Sequence, residues 1–173
     1  RLAPEAQYLY AETLLEDEKH AEAAAAFERF VEEHPRHELT DNALVRLGTV
    51  DEGSADFQNA ILNYREAFSR FPRGDAAAEA VRRYTALSIG SGSALMAKRE
   101  FLKLYGSVKD PAFKSVLAQK IGELLRIEGS RDEALFYFQE SLEHAAASEA
   151  PQIQFLIAQT LEEKSDREAA VSE

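Results

Sequence analysis

The residues with the strongest latent chemistry are four histidines, His20, His34, His37 and His144, in a chain that has no cysteine. Without thiols there can be no disulfide, no Cys-containing zinc site and no thiol nucleophile. No two histidines stand four residues apart, and no carboxylates converge on them at ligand spacing, so no metal centre is expected. His34 and His37 flank Pro35, and all four imidazoles read as solvated groups in loops and at helix ends. Carboxylates cluster at Glu16–Asp17–Glu18, Glu32–Glu33 and Glu162–Glu163. Such pairs do acid–base work only in a cleft that shifts their pKa values; on an outer helix surface they are solvating charge. Ile89-Gly-Ser-Gly-Ser-Ala94 is the one Gly/Ser cluster, with no strand before it and no Gly-Lys-Ser/Thr ending, so it reads as a turn and not a phosphate loop. No nucleophile–base pair is recognisable. The expectation is a non-enzymatic chain without cofactor or metal.

One constellation points elsewhere. Arg46, Arg83 and Lys120 lie at successive intervals of 37 residues in a chain of net charge −11. Two readings are open. A row of cations in an acidic protein can seat a partner's carboxylate, or it can pair with carboxylates of neighbouring helices, which contributes little at a surface. The acidic balance argues against nucleic acid and against an anionic membrane surface as partners. No run reaches the 18 or so apolar residues of a spanning helix.

The elements that would position these cations follow from a repeat. Ala23–Phe27, Ala60–Tyr64, Ala97–Phe101 and Ala134–Phe138 recur at the same 37-residue step. Pro35 and Pro72 keep it, as do the mostly small residues Ala11, Gly48, Thr85 and Gly122. Each unit divides into helices A and B. Asp110–Pro111 opens a helix that Gly129 ends, and Ser130 with Glu133 has capping-box spacing, a box that Ser165 and Glu168 repeat. Asp41 is expected to open one helix A and Gly53 to stop it, with helix B running from about Asp56 to Phe71. Gly48 and Gly122 would let the helices approach, answered by Ala60 and Ala134, while the aromatics fill the wedge between units. A single hairpin cannot bury its apolar stripe, but stacked hairpins can. The expected fold is all-α, a right-handed superhelical solenoid of antiparallel hairpins with about 4.5 units. These span roughly residues 4–37, 38–74, 75–109, 110–147 and a truncated 148–173, the last carrying Ala158, Leu161 and Ala170 one residue short of the step.

This pattern resembles the tetratricopeptide repeat, best in the second unit through Gly48, Ala60, Tyr64, Ala67 and Pro72. The usual step of that family is about 34, and here the extra residues follow the proline. The string from Ala25 to Pro35, continued by Asp41 to Gly48, is similar to a bacterial cell-envelope subgroup that includes the Tol-Pal-associated cell-division coordinator and the outer-membrane-protein assembly lipoprotein. The third unit departs from it, with Lys109 where the proline would stand. The resemblance implies that helix A lines a concave groove binding a partner's peptide or helix, acidic or carboxyl-terminal in character. The groove residues it implies are Asn42, Arg46, Thr49, Arg82, Arg83, Gln119, Lys120, Glu123 and Arg126, with Glu79 alongside. The asparagine of the chaperone-tail clamp is replaced by Glu12, Thr49, Ala86 and Glu123, so that activity is not carried over. A periplasmic or envelope location is implied, a cytoplasmic one being the alternative.

The chain opens at Arg1 and stops mid-pattern at Glu173, which reads as a segment of a longer protein. The alternative to a binding scaffold is a spacer or self-association module. In that reading, Phe155, Leu156 and Leu161 of the truncated last unit are covered by further chain or by a second copy.

Overall fold

The structure, a computed structural model, describes residues 3–172, with side chains described to residue 167. Among these residues the chain is helical, with no strand. The helices are α1 Pro4–Glu16, α2 His20–Glu33, α3 Thr40–Gly53, α4 Phe57–Arg70, α5 Ala77–Gly90, α6 Ala94–Tyr105, α7 Pro111–Glu128, α8 Arg131–His144 and α9 Ala150–Ser172. Two compact units are formed, residues 1–87 and 88–173.

The helix B stripes carry the core. Ala23, Phe27 and Phe30 on α2, Ala60, Tyr64 and Ala67 on α4, Ala97 and Phe101 on α6, and Ala134 and Phe138 on α8 are all fully buried. These i, i+4, i+7 stripes are the apolar faces of amphipathic helices. In unit 1 they close around Ala11, Leu14, Ala43 and Leu47, with Tyr8 edge-on to Phe27 and Phe30 at 5.6 and 5.7 Å. The partner of the small helix A residue differs from expectation. A Cβ on Gly48 would lie 2.6 Å from the Tyr64 ring, and one on Gly122 2.6 Å from the Phe138 ring. The aromatic of the same hairpin, not the alanine four residues before it, occupies the space that the missing side chain leaves.

Every A-to-B turn is built alike. Glu18, Ala55, Gly92 and Gly129, 37 residues apart, have φ of 60°, 61°, 73° and 89°. The amides of the residues that follow reach back to Leu14, Asp51, Ser88 and Leu125 at 2.9, 2.8, 2.7 and 2.9 Å. This is the six-to-one bond of a Schellman turn, which requires a left-handed residue. Gly53 ends α3 as expected, but the chain reverses at Ala55. Ser130 stands at the cap of α8 without a side-chain bond, and its amide, which a capping box would give to Glu133, is spent on the Leu125 carbonyl of α7. The Asp110 carboxylate does cap α7, accepting from the Phe113 amide at 2.8 Å, and Asp56 caps α4, accepting from Asn59 at 3.2 Å.

The loops after the prolines are held by side chains. Asp41 does not open α3; it sits in the first turn of that helix, 1% exposed. Its Oδ2 accepts the Ala76 amide at 2.9 Å, folding the next linker over it. Gly74 passes so close that a Cβ there would collide with this carboxylate. His34 and His37 are half-buried rather than fully solvated. They pack on Phe30 at 5.2 and 5.6 Å, His34 Nε2 meets Gln7 Oε1 at 3.1 Å, and His37 Nε2 lies 3.4 Å from Glu5.

The second box, Ser165 with Glu168, does not form. α9 runs without a break through Ser165, whose hydroxyl donates to the Leu161 carbonyl at 3.1 Å. A serine satisfied in this way is tolerated within a helix, and no glycine or proline stands nearby to stop it. The side chains of Glu168 and Ala170 lie outside the described residues.

Two outcomes follow. A left-handed Cβ residue costs roughly 1–2 kcal/mol, so Ala55→Gly is expected to raise the melting temperature by a few degrees in a calorimetric scan. Asp41→Ala strips a buried amide of its acceptor, at a cost of about 1–3 kcal/mol. It should also speed hydrogen exchange at Ala76 more than at amides of the α2 core.

Candidate functional site

The residues expected to line a groove on helix A are solvent-accessible to different degrees, and the structure gives nearly all of them partners. In unit 1, Arg46 is exposed on α3 and its Nε donates to Glu12 Oε1 on α1 at 2.7 Å. Asn42 donates to Asp41 Oδ1 at 3.3 Å. The Thr49 hydroxyl donates to the Val45 carbonyl at 3.0 Å and lies 3.4 Å from the Tyr64 hydroxyl. Tyr64 donates to Glu52 at 3.1 Å, and Glu52 also accepts from Arg83 Nη1 at 2.8 Å. Arg83 Nε is 2.7 Å from Glu79, which Arg82 approaches at 3.2 Å. Thr49, Tyr64, Glu52, Arg83, Glu79 and Arg82 therefore form one continuous polar network.

In unit 2, Lys120 Nζ reaches both oxygens of Glu123 at 2.9 and 2.8 Å, and Gln119 donates to the same carboxylate at 3.0 Å. Arg126 is bound by Gln159 of α9 and lies 3.7 Å from Glu163. Arg46 and Arg83 pair with carboxylates of neighbouring helices, Glu12 on α1 and Glu52 on α3, whereas Lys120 pairs within its own helix. The carboxylates that answer Arg46 and Arg83 come from 34 and 31 residues earlier in the chain.

Burial and charge tune this network. Burial, helped by the Glu52 carboxylate, pushes the Tyr64 phenol up to about 12. Burial and then Glu12 do the same to Tyr8. The hydrogen bond to Glu79 is the largest influence raising Arg83 above the ordinary guanidinium value. For Glu79, burial alone would raise the carboxyl, but Arg83 and Arg82 outweigh it and hold it below the usual 4.5.

A feature absent from the sequence reading lies beside Thr49. Leu15, His20, Thr49, Val50, Gly53 and Ser54 enclose an open, mostly apolar cleft of about 180 Å³ within unit 1. His20 is the one imidazole on it. Among the described residues no group of three His, Asp or Glu side chains is placed to hold a metal. Among the described residues no helix is long and apolar enough to cross a membrane.

The Glu79 shift has a pH signature. A carboxyl with a depressed folded pKa adds stability above its unfolded value and loses it as pH falls through the folded one. Carbon-detected NMR should show Glu79 titrating below 4.5 in the native protein. In Arg83→Met the midpoint should move upward, because burial then acts with one cation fewer opposing it.

Residues 5–37, the first hairpin and the start of its linker, match the tetratricopeptide repeat family model. No curated protein sequence matches the chain. Among solved structures, the chain is similar to a tetratricopeptide repeat protein from Parabacteroides merdae, with a TM-score of 0.56 and 15% identity. The match covers 91% of this chain and 57% of that protein. At that identity the likeness is one of fold. Repeats of this type generally mediate protein–protein interaction, and the chain has the all-helical hairpin architecture of the tetratricopeptide solenoid.

Proposed function

We propose that this chain is a non-enzymatic scaffold whose helix A face in unit 1 binds an extended segment or helix of a partner protein. The observation that carries the reading is the cleft beside Thr49. It is an apolar recess of about 180 Å³ lined by Thr49, on the helix that also carries Asn42 and Arg46. A recess of that size takes one apolar side chain. Asn42, Thr49 and the Arg46–Glu12 pair then offer polar contacts along the rest of the segment. A carboxylate on the partner can exchange for Glu12 at Arg46 or for Glu52 at Arg83. The exchange replaces one ion pair by another, so it sets register more than affinity. In unit 2, Gln119, Lys120, Glu123 and Arg126 offer a similar polar face. The residue pattern of the linkers after Pro35 and Pro72 supports a bacterial envelope setting, which fractionation of the native host would test.

A second reading, self-association through the last helix, is favoured by one observation. Phe155 is 65% and Leu161 48% exposed on α9, while Leu125, the counterpart of Leu161 on α7, is buried.

The cleft supplies a clean test. Gly53 lines the recess and has no atom within 4 Å of the Cβ position, so Gly53→Leu adds bulk there without a clash at Cβ. A partner segment identified by photo-cross-linking from Ser54 should then bind at least tenfold more weakly to Gly53→Leu in calorimetry, a loss of about 1.4 kcal/mol. Helix content and melting temperature should be unchanged. Undiminished binding to the filled cleft would rule the site out.

A further inference from the structure

The outward faces of α6 and α8 in unit 2 are opposite in charge. α6 presents Leu95, Met96, Arg99, Leu102 and Lys103, with Leu95 50% and Met96 62% exposed. α8 presents Asp132, Glu133, Phe136, Gln139 and Glu143, with Phe136 54% exposed. The two strips lie side by side, since the Tyr105 hydroxyl at the end of α6 donates to Glu140 of α8 at 2.6 Å and the Tyr105 and Tyr137 rings stack edge-on at 5.6 Å. Yet the charges do not satisfy one another. Among the described residues Arg99, Lys103, Glu133 and Glu143 make no hydrogen bond or ion pair. Asp132 alone is engaged, by Lys164 of α9 at 2.6 Å; a basic apolar strip next to an acidic apolar strip, with Arg99, Lys103, Glu133 and Glu143 unpaired, is complementary to itself after a half-turn.

We propose that this face is a homodimer interface, a second copy of the chain laying its α8 on α6 and its α6 on α8 about a twofold axis parallel to these helices. A twofold contact uses the same patch on both partners, and this patch carries both halves of the required pairing. Lys103 then faces Glu143, and Arg99 sits over Phe136 beside Glu133, a cation–π geometry. Leu95, Met96 and Leu102 supply the apolar contact. An anionic membrane is disfavoured as occupant, because Asp132, Glu133 and Glu143 belong to the same face. A patch of two such helices buries on the order of 800 Å² over both partners, at the weak end of specific association. The interface is independent of the cleft in unit 1.

Sedimentation equilibrium on the whole chain tests the pairing. The wild type should dimerise with rising concentration, and less so at high salt, where exposed charges are screened. Arg99→Glu/Lys103→Glu and Glu133→Lys/Glu143→Lys should each be monomeric, with unchanged circular dichroism. Mixed together they should form a heterodimer, since one then offers two acidic strips and the other two basic ones. A wild type that stays monomeric at all concentrations, a dimer that survives both reversals, or a mixture that fails to associate would each overturn the proposal. Survival of the reversals together with loss in Phe155→Asp would move the interface to α9. Vesicles of anionic lipid that bind the monomeric wild type would point to a membrane surface instead.

Discussion

In each hairpin, a single residue with left-handed backbone lets helix A end, and the amide that follows it bonds five residues back. That turn sets the separation and direction of helix B, and the packing follows from it. Because the turn recurs at Glu18, Ala55, Gly92 and Gly129, the alanine and aromatic of helix B fall at the same height against helix A every time. The Tyr64 and Phe138 rings then land on Gly48 and Gly122, where no side chain could fit. In the first hairpin an alanine, Ala11, holds that place and is itself fully buried. Close packing punishes a methyl group added at such points, so the tolerated residue depends on how far each ring stands off.

Turns close hairpins but do not join them. The junctions are made by the linkers after the prolines, and the two in unit 1 use different chemistry. After Pro35 the chain is held by rings, His34 and His37 packed on Phe30 and bonded toward α1. Beyond Pro72 it is held by a buried carboxylate, Asp41, accepting the Ala76 amide. Both devices satisfy polar backbone or ring nitrogen in a partly buried loop, where an unpaired group would be costly. The lengthened step between repeats thus comes with additional polar anchors.

The hairpin repeat was legible because it rests on residue types that recur at one interval. Ala23, Ala60, Ala97 and Ala134 mark it without any structure. The turn was legible at Gly129, read as a helix end, and in the Gly/Ser cluster that holds Gly92. Glu18 and Ala55 adopt the same conformation without the residue that usually signals it, held there by the helices on either side. The anchors of the linkers were not legible either, since His34 finds Gln7, and Asp41 finds Ala76, across 27 and 35 residues. Ion pairing was one of the two readings open for the candidate site, but its partners were not legible. Arg46 and Arg83 keep the 37-residue step, but their carboxylates, Glu12 and Glu52, do not. The uninterrupted α9 shows the converse failure, a capping pattern at Ser165 overridden because nothing breaks the helix there.

Those ion pairs change what the candidate site can recognise. Three cations at a constant step suggest an electropositive seat, but each guanidinium or ammonium now sits within about 3 Å of a carboxylate. At physiological salt, charges more than about 8 Å apart are largely screened, so an approaching peptide senses a neutral pair and not a bare cation. The net charge of −11 adds long-range repulsion for an acidic partner. For the proposed scaffold, affinity would then come mainly from the term that charge does not cancel. In unit 1 that term would be apolar burial in the cleft lined by Leu15, Thr49 and Val50.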